Sequence, residues 1–192
     1  MHGWRVYLLL IVLSNLAAGC AAQTGDSQRP QLEKVDMPGI YNFNRLSESS
    51  GIAGELAGFG GTTAPSAMTE LKAAGIGTVI NMRQATEPGA DVEATRAAAE
   101  AAGLGYVHLP FNPLASTEGI VDQFLTVVGD SGNHPVYIYC SSATRVAALW
   151  MTMRIEADNW ALGPASEEAM FIAGRPDRAV ELGNSLIATW SQ

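Results

Sequence analysis

Residues 136–150 read Val136-Tyr137-Ile138-Tyr139-Cys140-Ser141-Ser142-Ala143-Thr144-Arg145-Val146-Ala147-Ala148-Leu149-Trp150. Val136–Tyr139 is a short β-branched and aromatic run, the composition of a buried strand. From Arg145 to about Glu156 the chain is apolar and rich in good helix formers. Only Cys140 and four small residues separate the two, which predicts a tight strand-to-helix turn. Such a turn points several backbone N–H groups at one spot with a helix dipole behind them, an arrangement that binds anions. The same field favours a thiolate, so Cys140 is a candidate nucleophile. Arg145 carries a planar fork that holds two oxygens of one phosphate, which a lysine does not reproduce. Ser141, Ser142, Ala143 and Thr144 become candidate substrate-binding positions. The plainer alternative is a cysteine that fills a strand end and an arginine that solvates a helix start.

On both sides of this loop, strands alternate with helices. Residues 39–59 give two strand-like pieces around a Ser/Glu turn, and Pro65–Ala74 forms a helix stopped by Gly75. Thr78–Met82 and Tyr106–Leu109 are strand segments flanking a helix over Asp91–Ala102, acidic in its first turn and ended by Gly103. Ser116 or Thr117 caps a helix running to about Val128, with Val121, Phe124, Leu125 and Val128 on one face. From Pro164 to Trp190 two further helices flank Arg175-Pro176. The alternation predicts an α/β fold of three layers: a mainly parallel central sheet of four to five strands, with helices on both faces. Ligands of such sheets bind beyond the C-terminal strand ends, where Cys140 falls. Arg83 follows the Thr78–Met82 strand and ends near the same place. It binds substrate there, or pairs with Glu87, the simpler reading. His108, inside a strand, reads as a hydrogen-bonded core residue.

The chain has 192 residues, enough for one domain, with 47% hydrophobic residues, too many for a disordered chain. Its net charge of −8, without a basic stretch, argues against nucleic acid as a partner. Three histidines in no ligand spacing point to no metal. At the start, Arg5 precedes an apolar run from Val6 to Leu13, then small residues lead to Cys20. That layout predicts a signal peptide over 1–19. Ala17-Ala18-Gly19-Cys20 resembles the lipobox of bacterial lipoproteins, which implies lipid on Cys20 and a protein exported to the periplasm and tethered to a membrane. Residues 20–36 are small and polar and read as a flexible tether, with one folded domain over 37–192.

The order Gly39-Ile40-Tyr41-Asn42-Phe43, Leu71 to Arg83 with Glu87, Gly103 to Pro110 and Pro135 to Cys140 resembles the protein-tyrosine-phosphatase superfamily. It is most similar to the bacterial dual-specificity-like phosphatase domain that also occurs in beta-lactamase-hydrolase-like proteins. The resemblance implies a phosphocysteine formed at Cys140, phosphate held by Arg145, no cofactor, and a phosphorylated small molecule or phosphoprotein as substrate. The sequence departs from the superfamily in three places. Four residues, not five, separate Cys140 and Arg145; Ala143 stands where the bacterial branch commonly has Gly; Tyr139 stands where His is usual. The loop expected to supply an aspartic general acid, Pro110–Glu118, contains none, and Glu118 and Asp122 are the carboxyls in reach along the chain. Two other functions fit the Cys-x4-Arg spacing: a rhodanese-like sulfurtransferase, and a non-catalytic lipoprotein that binds an anion or a protein.

Overall fold

The computed structural model describes residues 32–46, 57–115 and 117–190. The expected signal peptide, Cys20 and most of the expected tether lie outside the described residues. Six strands form one sheet: β1 (Leu32–Lys34), β2 (Asn44–Leu46), β3 (Ala57–Gly60), β4 (Thr78–Asn81), β5 (Gly105–His108) and β6 (Val136–Tyr139), in the order β1-β2-β3-β6-β4-β5. The last four in that order are parallel to one another, while β1 and β2 pair antiparallel at the edge. The sheet is therefore larger than the expected four to five strands. It also starts earlier than residue 37, because Leu32–Lys34, within the stretch read as tether, pairs with Asn44–Leu46. Three residues with one apolar side chain leave no periodicity to detect; the pairing partner alone makes them a strand.

The helices are α1 (Met68–Ala73), entered through a 3-10 turn at Pro65–Ala67, α2 (Val92–Ala101), α3 (Ile120–Gly129), α4 (Thr144–Glu156), α5 (Leu162–Ile172) and α6 (Pro176–Trp190). Asp91 caps α2 by accepting the Ala94 amide at 2.9 Å. α3 begins two to three residues later than the hydroxyl caps suggested. Gly119, at φ +70°, is its N-cap residue.

Alternation along the strands splits the core into two. Val136 and Ile138 of β6, with Ile80 and Phe59, face the layer made by α3, α4, α5 and α6. Tyr137 and Tyr139, with Val79, face α1 and α2 together with Phe43, Met68 and Leu71. Every residue of α4 from Arg145 to Arg154 is buried. A helix apolar on all sides belongs inside, and α4 is held between the sheet and α5–α6. Phe59 meets Trp150 edge-on at 4.6 Å, tying the sheet to α4. The charged exceptions are Arg145 at its start and Arg154, which is fully buried between Trp150 and Trp160 and bonded to Asp158 at 2.8 Å and Glu168 at 2.9 Å. The bonds of Arg154 fix the far end of the helix whose near end carries the Cys140 loop.

Candidate active site

β6 ends at Tyr139, and its neighbours on either side continue the grip on the chain. The Tyr139 carbonyl accepts from the Met82 amide at 2.9 Å, and the Cys140 amide donates to Gly60 O at 3.2 Å. Beyond Cys140 the carbonyls are drawn away from one another by separate clamps. Ser141 O accepts from Thr62 N (3.1 Å) and Thr62 Oγ1 (3.0 Å); Ser142 O accepts from Gly174 N (2.8 Å); Ala143 O accepts from Ala147 N in α4 (2.9 Å). The amides are the opposite case. Among the described residues, no protein acceptor bonds to the N–H groups of Ser141, Thr144 or Arg145, while the bridge between Gly61 and Ser142 draws the middle of the loop toward the end of β3. The unspent donors of Ser141, Thr144 and Arg145 at a helix start form an anion-binding nest.

Ala143 makes this turn at φ +60°, ψ 1°, the left-handed region, as the residue entering α4. The Cβ of an alanine disfavours that conformation; the fold imposes it, at a cost of about 1–2 kcal/mol. Its methyl is buried among core side chains and offsets part of that cost. Ser142 Oγ and Thr144 Oγ1 bond each other at 3.0 Å.

Arg145 points inward, not to solvent. Its Nη1 donates to Glu87 Oε1 (2.6 Å), Phe111 O (2.7 Å) and Met82 O (3.2 Å), and its Nη2 donates to Glu87 Oε2 (2.9 Å) and Ser141 Oγ (3.3 Å). Burial disfavours the charged guanidinium, but Glu87 foremost, together with the neighbouring Cys140 side chain, outweighs it and raises the Arg145 pKa. Both Glu87 oxygens face the Nη1–Nη2 edge, so the full fork is not free for phosphate. The Nε side, which bonds no described oxygen, is the edge left over. Glu87 in turn accepts from the Gln84 amide at 2.8 Å. Burial alone would raise its pKa; the bonds from Arg145 and Gln84 win and hold it below the ordinary value of 4.5.

Arg83 departs from its expected binding role. Its guanidinium donates to Pro88 O (2.7 Å), Gly89 O (2.8 Å) and, at 3.4 Å, Glu87 Oε2. It shapes the turn that presents Glu87, as the ion-pair reading anticipated. His108 bonds Arg83 O at 2.8 Å, the buttressing role expected of it. Tyr139 is buried and stacks on Tyr137 at 5.8 Å.

Next to the loop opens a cavity of about 430 Å³ lined by Ser141, Ser142, Thr144 and Arg145, by Gln84 and Glu87, by Asn112, Pro113 and Leu114, and by Arg175, Arg178, Glu181, Leu182 and Ser185. Cys140 has no exposed surface, is grouped with the core side chains and is not among the residues that line the cavity. Glu118 and Asp122, the carboxyls considered as general acids, are not among the lining residues. Asp122 lies in the first turn of α3, where it accepts from Trp190 Nε1 at 2.8 Å. The contribution of α6 was missed in the sequence, since Arg175 and Arg178 sit about thirty residues beyond the loop with no spacing to link them to it. Among the described residues, no cluster of three or more His, Cys, Asp or Glu is placed to hold a metal ion, and no helix is long and apolar enough to cross a membrane.

A three-layer α/β fold with a strand–Cys–turn–Arg–helix unit at the sheet's carboxyl edge defines a protein of the dual-specificity-phosphatase type. The model of the beta-lactamase hydrolase-like protein, phosphatase-like domain, matches residues 55–157, and the chain belongs to that family. No curated protein matches it. Solved structures share the fold. A DUF442 protein from Shewanella putrefaciens CN-32 is 16% identical over 79% of this chain and 95% of its own, with a TM-score of 0.57. A Cys-to-Ser variant of TpbA from P. aeruginosa, in complex with phosphotyrosine, is 18% identical over 84% and 96%, TM-score 0.57. The core catalytic domain of the PP-IP phosphatase SIW14 from S. cerevisiae, in complex with citrate, is 14% identical over 81% and 94%, TM-score 0.58.

Proposed function

We propose that the protein hydrolyses phosphate esters or anhydrides through a phosphocysteine at Cys140. What supports this most directly is that the amides of Ser141, Thr144 and Arg145 have no described acceptor, with the carbonyls of the same turn bonded elsewhere. A phosphoryl group seated there has its equatorial oxygens on backbone N–H groups and on the Nε edge of Arg145. The Cys140 sulfur below it attacks phosphorus in line, and charge that builds on those oxygens meets fixed donors that need no reorganisation. Glu87 is a positioning residue: it keeps Arg145 charged and turned toward the loop. Water then hydrolyses the phosphocysteine and returns the thiolate. The phosphatase names carried by the family and by SIW14, and the phosphotyrosine held by the TpbA variant, agree with this reading.

Hydrolysis of an aryl phosphate by the full chain tests it. Activity lost in Cys140→Ser, with orthophosphate still raising the melting temperature of that variant, is the expected result. Activity that survives Cys140→Ser overturns it, and thiocyanate formed from thiosulfate and cyanide turns the assignment to sulfur transfer. The lipobox-like Ala17-Ala18-Gly19-Cys20 supports an exported protein anchored by lipid at Cys20 on the periplasmic side of a bacterial membrane. Labelling with a palmitate analogue in cells, lost in Cys20→Ala, checks that anchor.

A further inference from the structure

We infer that the cavity takes a phosphoanhydride, whose leaving group is itself a phosphate that departs without being protonated, and that Arg175 grips this leaving phosphate. The inference rests on the phosphatase reading and narrows its substrate class.

Carboxyl groups decide the first half. An alkyl ester leaves as a strongly basic alkoxide unless a side chain donates a proton, and losing such a donor costs about 10²–10⁴-fold in rate. The carboxyls that line the cavity are Glu87 and Glu181. Each is engaged by an arginine at 2.6 Å, Glu87 by Arg145 and Glu181 by Arg178. Glu87 is held deprotonated by that contact. The loop after β5 contributes Asn112, Pro113 and Leu114 to the wall, and Asn112 Oδ1 already accepts the Leu114 amide at 3.0 Å. An amide and two apolar side chains release no proton near neutral pH. A leaving phosphate needs none, since the second pKa of a phosphate group is about 6.

Cations decide the second half. Three arginines line the cavity: Arg145, Arg175 and Arg178. Two are matched by the carboxylates just named. Arg175 is exposed, with no described carboxylate within ion-pair distance. Its place is fixed relative to the loop, because the neighbouring Gly174 amide donates to Ser142 O at 2.8 Å. A substrate with a second negative group beyond the transferred phosphoryl meets that guanidinium, and charge-assisted bonds to phosphate are the strong ones.

The step balances without a co-reactant other than water. The Cys140 thiolate forms an S–P bond to the terminal phosphorus while the bridging P–O bond breaks. That electron pair leaves on the bridging oxygen, as the phosphate held by Arg175. Water then attacks phosphorus, the S–P bond breaks with its pair returning to sulfur, and the proton lost by water passes to the released orthophosphate or to solvent.

The test compares the full chain on pyrophosphate, p-nitrophenyl phosphate and glycerol phosphate, for wild type, Arg175→Ala, Arg175→Lys and Cys140→Ser. We expect kcat/KM for pyrophosphate and p-nitrophenyl phosphate to exceed that for glycerol phosphate by about 100-fold or more. Arg175→Ala lowers the pyrophosphate value about tenfold more than the p-nitrophenyl value, and Arg175→Lys restores part of it. Glycerol phosphate turned over as fast as the others, pyrophosphate left intact while the aryl ester is hydrolysed, or an Arg175→Ala effect equal on both substrates overturns this inference alone. Failure on all three substrates, or activity that survives Cys140→Ser, overturns the phosphatase reading and the inference with it.

Discussion

Replacing Glu87 by Gln isolates the contact that orients Arg145. The carboxylate meets the guanidinium edge through two bonds, 2.6 and 2.9 Å, with side chains only 18% and 10% exposed. A glutamine keeps the shape but presents an N–H₂ to one of the two nitrogens, donor against donor, and removes the charge. Hydrogen bonds to charged groups contribute about 1.5–3 kcal/mol each, and breaking a buried pair costs about 3–5 kcal/mol. Arg145 retains Met82 O and Phe111 O as acceptors, and the site is partly open, so about 2–3 kcal/mol is expected at pH 7. The pH dependence has a definite sign. Glu87 has a pKa lowered below its ordinary 4.5, because bonds from Arg145 and Gln84 outweigh burial. Its contribution is therefore present in full above pH 4.5 and is lost as pH falls through the lower folded value. Urea unfolding of wild type and Glu87→Gln at pH 7 and at acid pH reads this directly. The gap in stability should narrow toward acid as the wild-type carboxyl takes up its proton. Equal midpoints at pH 7, or a gap that does not narrow on acidification, would refute the reasoning.

Gly174→Ala sets a Cβ 2.6 Å from Ser142 O, a backbone atom that cannot rotate away, so the loop must shift. We expect a loss of about 1–3 kcal/mol in urea unfolding and a smaller thermal shift with orthophosphate; an unchanged phosphate response would contradict the clamp. Ala143→Gly relieves a left-handed backbone worth about 1–2 kcal/mol, but adds about 0.5–1 kcal/mol of unfolded-chain entropy and gives up a buried methyl worth about 0.8 kcal/mol. The net stability change should stay within about 1 kcal/mol, and a larger one measured by calorimetry would show that the three effects are wrongly weighed. Arg154→Met leaves the buried carboxyls of Asp158 and Glu168 without their guanidinium. Burial already raises the Glu168 pKa against the pull of Arg154, so protonation softens the damage, and a loss of about 3 kcal/mol at pH 7 is expected.

The strand β6, the cysteine turn and the start of α4 were legible in fifteen consecutive residues, because each depends on local chemistry. A β-branched and aromatic run, a short polar turn and an apolar helix former need no distant partner to be recognised. The remaining parallel strands and all six helices were likewise visible as periodic or capped segments. β1 was not, since three residues carry no period and only pairing with β2 makes them a strand. The start of α3 moved for a related reason: several residues there could cap, and Gly119 supplies the positive φ that the chain path requires.

For the site, the identity of Cys140 and Arg145 as a pair follows from their spacing, which the backbone of one turn translates into geometry. Their surroundings do not. Whether Arg145 faced solvent or the interior depended on Glu87, 58 residues earlier, and on the carbonyls of Met82 and Phe111. The clamp from Gly174 and the approach of Arg175 and Arg178 to the loop are also contacts between residues far apart in the chain. Sequence by itself determined what short-range sterics and hydrophobic periodicity determine: the elements, their order, and a cysteine at a strand end beside a helix start. Tertiary structure decided which edge of the guanidinium is free, which carboxyls reach the cavity and where the spare positive charge stands. Those are set by directional bonds between distant segments, and no local pattern encodes them.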